Sequence, residues 1–144
     1  MKYEILAKAA EIVKALEHCT IATIDDQGFP RASSISSIKV EGLHTMWFST
    51  GLSSGKVRCL KKNNKVSVCY QQEGQNVTLM GIIDILTNEE IKRELWVDWF
   101  IEHFPEGPTD PNYCILKFTA QKGVLWVDRN YLEFDKQDIE NLES

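Results

Sequence analysis

The chain has 144 residues, 43% of them hydrophobic and 26% charged, which is the size and composition of one globular domain spanning 1–144. Its formal net charge of −5 argues against a broad nucleic-acid or anionic-membrane surface while leaving room for a local basic pocket. No apolar stretch approaches the roughly 20 residues of a membrane span, and the N-terminus carries no signal-like apolar run, so a cytoplasmic protein is expected.

Residues 3–17 predict an amphipathic helix, with Ile5, Ala9, Ile12, Val13 and Leu16 on one face and Lys8, Glu11 and Lys14 opposite. Strands follow over 19–25 and 31–40, joined by the turn Asp26-Gln27-Gly28-Phe29-Pro30, and then over 44–49 after Glu41-Gly42. Ser53 or Ser54 is placed to cap a short helix over 56–62. Two more strands are predicted over 65–71 and 76–87, then a helix capped by Asn88 and running from 89 to about 104. Last strands over 113–119 and 124–128 flank a turn near Lys122-Gly123, and the acidic tail from Asp135 either forms a terminal helix or frays. The connections are of hairpin length rather than alternating crossover helices. This favours a mainly β, α+β fold with six or seven antiparallel strands and flanking helices.

Cys19, Cys59, Cys69 and Cys114 are far apart with no Cys-x-x-Cys pair, and reduced structural thiols are expected. His18, His44 and His103 are equally scattered, so no metal site is predicted.

Four segments carry more. They are Thr20-Ile21-Ala22-Thr23 with Gly28-Phe29-Pro30-Arg31; Met46-Trp47-Phe48-Ser49-Thr50 with Ser54-x-Lys56; Asn63-Asn64-Lys65-Val66-Ser67-Val68; and Leu95-Trp96, Phe104-Pro105-x-Gly107-x-x-Asp110-Pro111 and Trp126. In this order and spacing they resemble the FMN-binding split-barrel family that includes pyridoxine phosphate oxidase, and most closely its short general stress protein 26 branch. The resemblance spans nearly the whole chain. It implies an antiparallel split β-barrel, FMN as cofactor, and a homodimer holding FMN at the subunit interface. It places Arg31, Thr50, Ser54 and Lys56 at the flavin phosphate, and Trp96, on a helix supplied by the partner subunit, in the wall of the ring pocket.

The residue chemistry fits this assignment. A phosphate needs cationic and hydroxyl donors that converge on it. Arg31 offers a bidentate fork, and Lys56 starts a helix just after Thr50, Ser53 and Ser54. The plain alternative is a capped helix with a solvated lysine. Strand alternation puts Arg31, Ser33, Ile35, Ser37 and Lys39 on one face and Ala32, Ser34, Ser36, Ile38 and Val40 on the other. The four serines either let a flat ring lie close to the backbone or simply face water on an edge strand. With Arg31, the Ser33-Ser34 segment and the Ser49-Thr50 backbone are the groups placed to tune the flavin. Trp96 and Trp99, three apart on the predicted helix, share a face and serve as core or interface anchors, as pocket wall, or as both. His103 and Asp110-Pro111 are read as element ends without a catalytic role.

Departures from the family matter as well. Pyridoxine phosphate oxidases carry an arginine and a lysine five residues apart on the second strand, whereas here Ser36 stands at that spacing after Arg31 and the next base is Lys39. The family's C-terminal arginine elements for the substrate are also missing, so that specific oxidase activity is disfavoured. The expected function is a flavin-dependent oxidoreductase acting on an unknown small molecule, with a nicotinamide nucleotide as candidate electron donor and no named catalytic residue. The alternatives are a non-enzymatic flavin-binding or stress-response protein, and a haem-binding split barrel with His18, His44 or His103 as axial ligand. A deazaflavin in place of FMN also remains open.

Overall fold

The computed structural model describes residues 1–143. Hairpin turns set the architecture. Helix α1 (Lys2–Ala15) precedes the strands β1 (His18–Ile24), β2 (Pro30–Glu41) and β3 (Thr45–Gly51). After α2 (Gly55–Lys62) come β4 (Lys65–Gln72) and β5 (Gln75–Leu86), then α3 (Glu89–Glu94) and two 3-10 helices (Asp98–Glu102 and Gly107–Thr109). Strands β6 (Tyr113–Val127) and β7 (Asn130–Asp135) and helix α4 (Lys136–Glu143) complete the chain.

All strand pairs are antiparallel, in the order β3-β2-β1-β4-β5-β6-β7, and a further β3–β6 pairing closes the first six strands into a barrel. Strand β7 is an addition, pairing with the second half of β6 from Lys122 to Val127. Inward alternation fills the barrel with Ile21, Ile35, Phe48, Val68, Tyr70, Leu79 and Phe118, and α1 lays Leu6, Ala9 and Val13 into the same core. A smaller cluster of Trp47, Phe100, Phe104, Tyr113 and Ile115 is joined by Ile91, Leu95 and Trp96. Among the described residues no helix is long and apolar enough to cross a membrane. All four cysteines are free thiols, with Cys69 half-buried and the others buried.

Two expectations are corrected. The helix predicted to run to Phe104 stops at Glu94. There the Tyr113 hydroxyl donates to the Lys92 carbonyl (2.9 Å), the acceptor a continuing helix would offer to Trp96 N–H. Trp96 N–H bonds back to the Arg93 carbonyl instead, and the chain resumes as a 3-10 turn from Asp98. The two last strands are one strand of 15 residues, because Gly123 is no turn: the Phe134 ring lies where its side chain would be. The turn falls at Asp128 and Arg129, both with positive φ, and leads into the unpredicted β7. In addition, β5 and β6 are bulged. The register jumps from Met80↔Lys122 to Gly81↔Ala120, and Gly81 rests on the Thr119 carbonyl where no Cβ fits.

Candidate functional site

The barrel is incomplete at one place. Strand β2 pairs with β1 from Pro30 to Ser36 but with β3 only over Ser37–Glu41, while Ser49, Thr50 and Gly51 of β3 pair with β6. A gap opens between these stretches. Ser37 N–H bonds to the Glu17 carbonyl on the β1 side, so antiparallel alternation aims the main-chain N–H and C=O groups of Ser34, and the N–H of Ser36, into the gap. Main-chain groups in such a place call for a partner. The gap forms a cleft of about 450 Å³, and Ser34, Ser36, Ser49, Thr50, Ser53, Ser54 and Lys56 line its polar side.

One end of the cleft is strongly electropositive. Ser54 caps α2, accepting the Val57 N–H on its hydroxyl (3.3 Å), and Thr50 Oγ1 lies 3.5 Å from that same oxygen. Arg31 reaches across from β2 and lays its guanidinium against Gly55, where a Cβ would stand 2.7 Å from Nη2. Lys56 follows at once. Burial first, and then the charge of Arg31, hold its ammonium below the ordinary lysine pKa. Among the described residues neither cation forms an ion pair, although four other lysines do. Two cations and a helix N-terminus at one spot repel one another until an anion joins them.

The opposite wall is aromatic and comes from the 3-10 segment of the same chain. Trp99 (47% exposed), Phe100, His103 and Phe104 face the cleft. Trp99 stands edge-on to Phe100, with ring centroids 4.7 Å apart, and Asn112 closes the floor next to Gly51.

Of the residues singled out from the sequence, Ser34, Ser49, Thr50, Ser53, Ser54 and Lys56 line one cleft, with Arg31 beside them. Ser33 turns away; its hydroxyl is buried with no partner among the described residues, as is that of Thr23 on β1. Trp96 stands behind the wall, edge-on to Phe100 (5.5 Å) and Tyr113 (5.3 Å), and the break after Glu94 removes the shared helical face expected with Trp99. Lys39 does not share a face with Arg31. A bulge between Ser37 and Lys39 sends it across the strand, where it sits over Trp47 (4.8 Å) and near Glu41 (3.5 Å). Of the histidines only His103 lines the cleft, while His18 bonds to Ser36 Oγ (2.9 Å) and His44 to Thr45 Oγ1 (2.7 Å). Among the described residues no three His, Cys, Asp or Glu side chains are placed to hold a metal. Sequence reasoning missed Asn112 and Phe100, which carry no local signal, and gave Phe104, quoted within the fourth segment, no place in the site.

A six-stranded antiparallel barrel, split where its cleft lies and flanked by four helices, defines a split-barrel protein. The family model for pyridoxamine 5'-phosphate oxidase-like proteins matches residues 4–135, and the chain belongs to that family. Among solved structures it is similar to a Clostridium acetobutylicum protein related to general stress protein 26 of B. subtilis, of the pyridoxinephosphate oxidase family. Identity is 29%, TM-score 0.86, and coverage 96% of this chain and 99% of that one. It shares its fold with a pyridoxamine 5'-phosphate oxidase-related, FMN binding protein of Nostoc punctiforme (14% identity, TM-score 0.71, 92% and 90% covered). The same holds for a heme binding protein of Mycobacterium smegmatis (14% identity, TM-score 0.75, 95% and 60% covered). No curated protein matches the sequence.

Proposed function

We propose that the protein binds FMN in the cleft at the barrel split and acts as a flavin-dependent oxidoreductase on a small molecule. The observation that carries this reading is the pairing of Arg31 and Lys56 at the N-terminus of α2 with no carboxylate partner among the described residues. A phosphate monoester bearing nearly two negative charges would satisfy both cations, the Ser53, Ser54 and Thr50 hydroxyls and the first helical N–H groups. The main-chain groups of Ser34 and the Ser36 N–H would meet the heteroatoms of a flat ring, and Trp99 and Phe104 would shield that ring from water. A bound flavin supplies hydride or electron transfer; these residues hold it, orient it and set its electrostatic surroundings.

The family and the Nostoc neighbour support FMN as the occupant. The Mycobacterium neighbour's haem raises a second reading, for which His103, the histidine lining this cleft, would be the axial ligand. We also propose a two-fold dimer. Its support is the apolar surface of Val97 (39% exposed), Trp99 and Ile101 (48%) beside the cleft mouth, and the groove containing Ala22, Ile24, Met80 and Ile82 on the outer barrel wall. Light scattering should then give twice the chain mass of 16.5 kDa.

The deciding experiment is an absorbance titration of purified protein with FMN, for wild type and for Arg31→Ala/Lys56→Ala. A flavin spectrum with affinity lowered at least tenfold by the double change, about 1.4 kcal/mol, is the expected result. A folded wild type that takes up no FMN would refute the reading, and a Soret band lost in His103→Ala would replace it with haem. Turnover with a nicotinamide nucleotide separates an oxidoreductase from a protein that only holds the cofactor.

A further inference from the structure

We propose that Asn112 is the positioning residue of the anion end: it fixes the turn that presents α2, and so sets selectivity for a phosphorylated over a dephosphorylated ligand. This rests on the reading of the cleft given above.

The chain of contacts starts at a buried charge. Lys92 is only 5% exposed, and its Nζ donates to the Asp110 carbonyl (2.9 Å) while lying 5.4 Å from the Tyr113 ring centroid. Burying an ammonium is costly, and here it is spent on one carbonyl of one turn. Asp110 is itself 5% exposed. Its carboxylate accepts the Glu106 N–H (3.2 Å) and the Asn112 N–H (2.9 Å), and its own N–H bonds to the Gly107 carbonyl (2.9 Å). The turn from 106 to 112 is thus held at both ends from within.

What the turn delivers is Asn112. Its carbonyl accepts the Leu52 N–H (2.7 Å) and its Oδ1 accepts the Ser53 N–H (3.0 Å). Its Nδ2 occupies the space a side chain at Gly51 would take, 2.8 Å from that position. Ser54 N–H bonds to the Gly51 carbonyl (3.0 Å), so residues 51–54 are tied down up to the cap of α2. The Leu52, Ser53 and Ser54 N–H groups are thus all engaged just before the anion site. The Val57 and Arg58 N–H groups bond to Ser54, and among the described residues those of Gly55 and Lys56 have no intramolecular acceptor. Asn112 therefore decides where two free donors and the Lys56 ammonium point. Its hydrogen bonds go to Leu52 and Ser53 of the phosphate-facing turn, so its influence should fall on the phosphate and spare the ring.

FMN and riboflavin share a ring and differ by that phosphate, so the ratio of their affinities reads the anion end alone. Both are titrated by fluorescence quenching against wild type, Arg31→Ala/Lys56→Ala, Asn112→Ala, Gly51→Ala and the Gly51→Ala/Asn112→Ala pair, with circular dichroism confirming the fold of each. Asn112→Ala keeps the carbonyl bond to Leu52; we expect FMN affinity to fall about tenfold with riboflavin affinity unchanged within about twofold. Gly51→Ala, which displaces the Asn112 amide, should reproduce this loss, and it should add nothing once Asn112 is alanine. Equal losses for both ligands, or an unchanged ratio in Asn112→Ala while the cation pair change collapses it, would overturn the proposal. A wild type without preference for FMN over riboflavin would overturn it together with the anion site itself.

Discussion

Replacing Gly55 with alanine should raise stability and lower FMN affinity in the same molecule. The glycine lies at the first position of α2, outside the left-handed φ region, so alanine suits the backbone and restricts the unfolded chain. That change is worth about 0.4–1 kcal/mol, or up to a few degrees in Tm for a chain of this size. The new Cβ would stand 2.7 Å from Arg31 Nη2, 3.1 Å from Cζ and 3.3 Å from Nη1. The guanidinium must retreat by about 0.7 Å or more to recover ordinary contact, and as the end of a flexible side chain it can do so without disturbing the fold. A charge-assisted hydrogen bond contributes about 1.5–3 kcal/mol, and misplacing its donor should forfeit about half, a threefold to tenfold loss of affinity. Differential scanning fluorimetry without ligand and an FMN titration read the two effects separately. Raised stability with unchanged affinity would refute the placement of Arg31 at the ligand, and lowered stability would show that the glycine serves the fold.

Gly81→Ala should destabilise strongly, by about 2–4 kcal/mol in urea denaturation, since its Cβ falls on the Thr119 backbone and the Phe118 ring rather than on a movable side-chain end. Burial pushes the Cys19 and Cys114 thiols from 9.0 up to about 11. The unfolded thiols ionise first, so stability should be unaffected below pH 9 and fall between pH 9 and 11. The slope should be on the order of 1.4 kcal/mol per pH unit for each thiol, and Cys114→Val should reduce it. In native protein at pH 8, Ellman's reagent should reach Cys69 ahead of the three buried thiols. Trp99→Phe should remove most of the FMN-induced quenching of tryptophan fluorescence, because Trp99 lines the cleft while Trp96 stands behind it; equal quenching in Trp99→Phe would show the ring lies elsewhere.

How far the fold could be read from the sequence followed the range of the forces involved. The apolar face of α1, the cap at Ser54 and the turns after β1 and β4 are local, and each lies within a residue or two of its expected place. The break after α3 is not local. Nothing within residues 89–104 forbids a helix there, and the Tyr113 hydroxyl that takes the Lys92 carbonyl comes from 21 residues away. The bulges at Ser37–Lys39 and Met80–Gly81 likewise arise from how a closed barrel meets itself, so the alternation drawn through Lys39 failed at the first of them. The site divides in the same way. Ser49 to Lys56 is one short segment, so its donors were legible together, and a single hairpin brings Arg31 to them. Trp99 was legible as a pocket-wall residue, whereas the places of Phe100 and Asn112 depend on the β3–β6 closure and were not.

The position of the cleft follows from what the barrel leaves unfinished. Closing the sheet between residues 33–36 of β2 and 49–51 of β3 would satisfy the Ser34 main-chain groups and the Ser36 N–H, yet these stretches pair elsewhere. At the same place the chain sets two cations together, with no counter-charge among the described residues, and positions a helix N-terminus against them. Each feature is unfavourable for the isolated fold, and they share no common structural cause: one is strand register, one is side-chain choice, one is helix placement. A single anionic, flat ligand, as proposed above, would relieve all three at once. The cleft is therefore better explained as one half of a complex than as a defect of the barrel. Because such a ligand binds the folded chain and not the unfolded one, FMN at about one hundred times its Kd should add about 2.7 kcal/mol of stability.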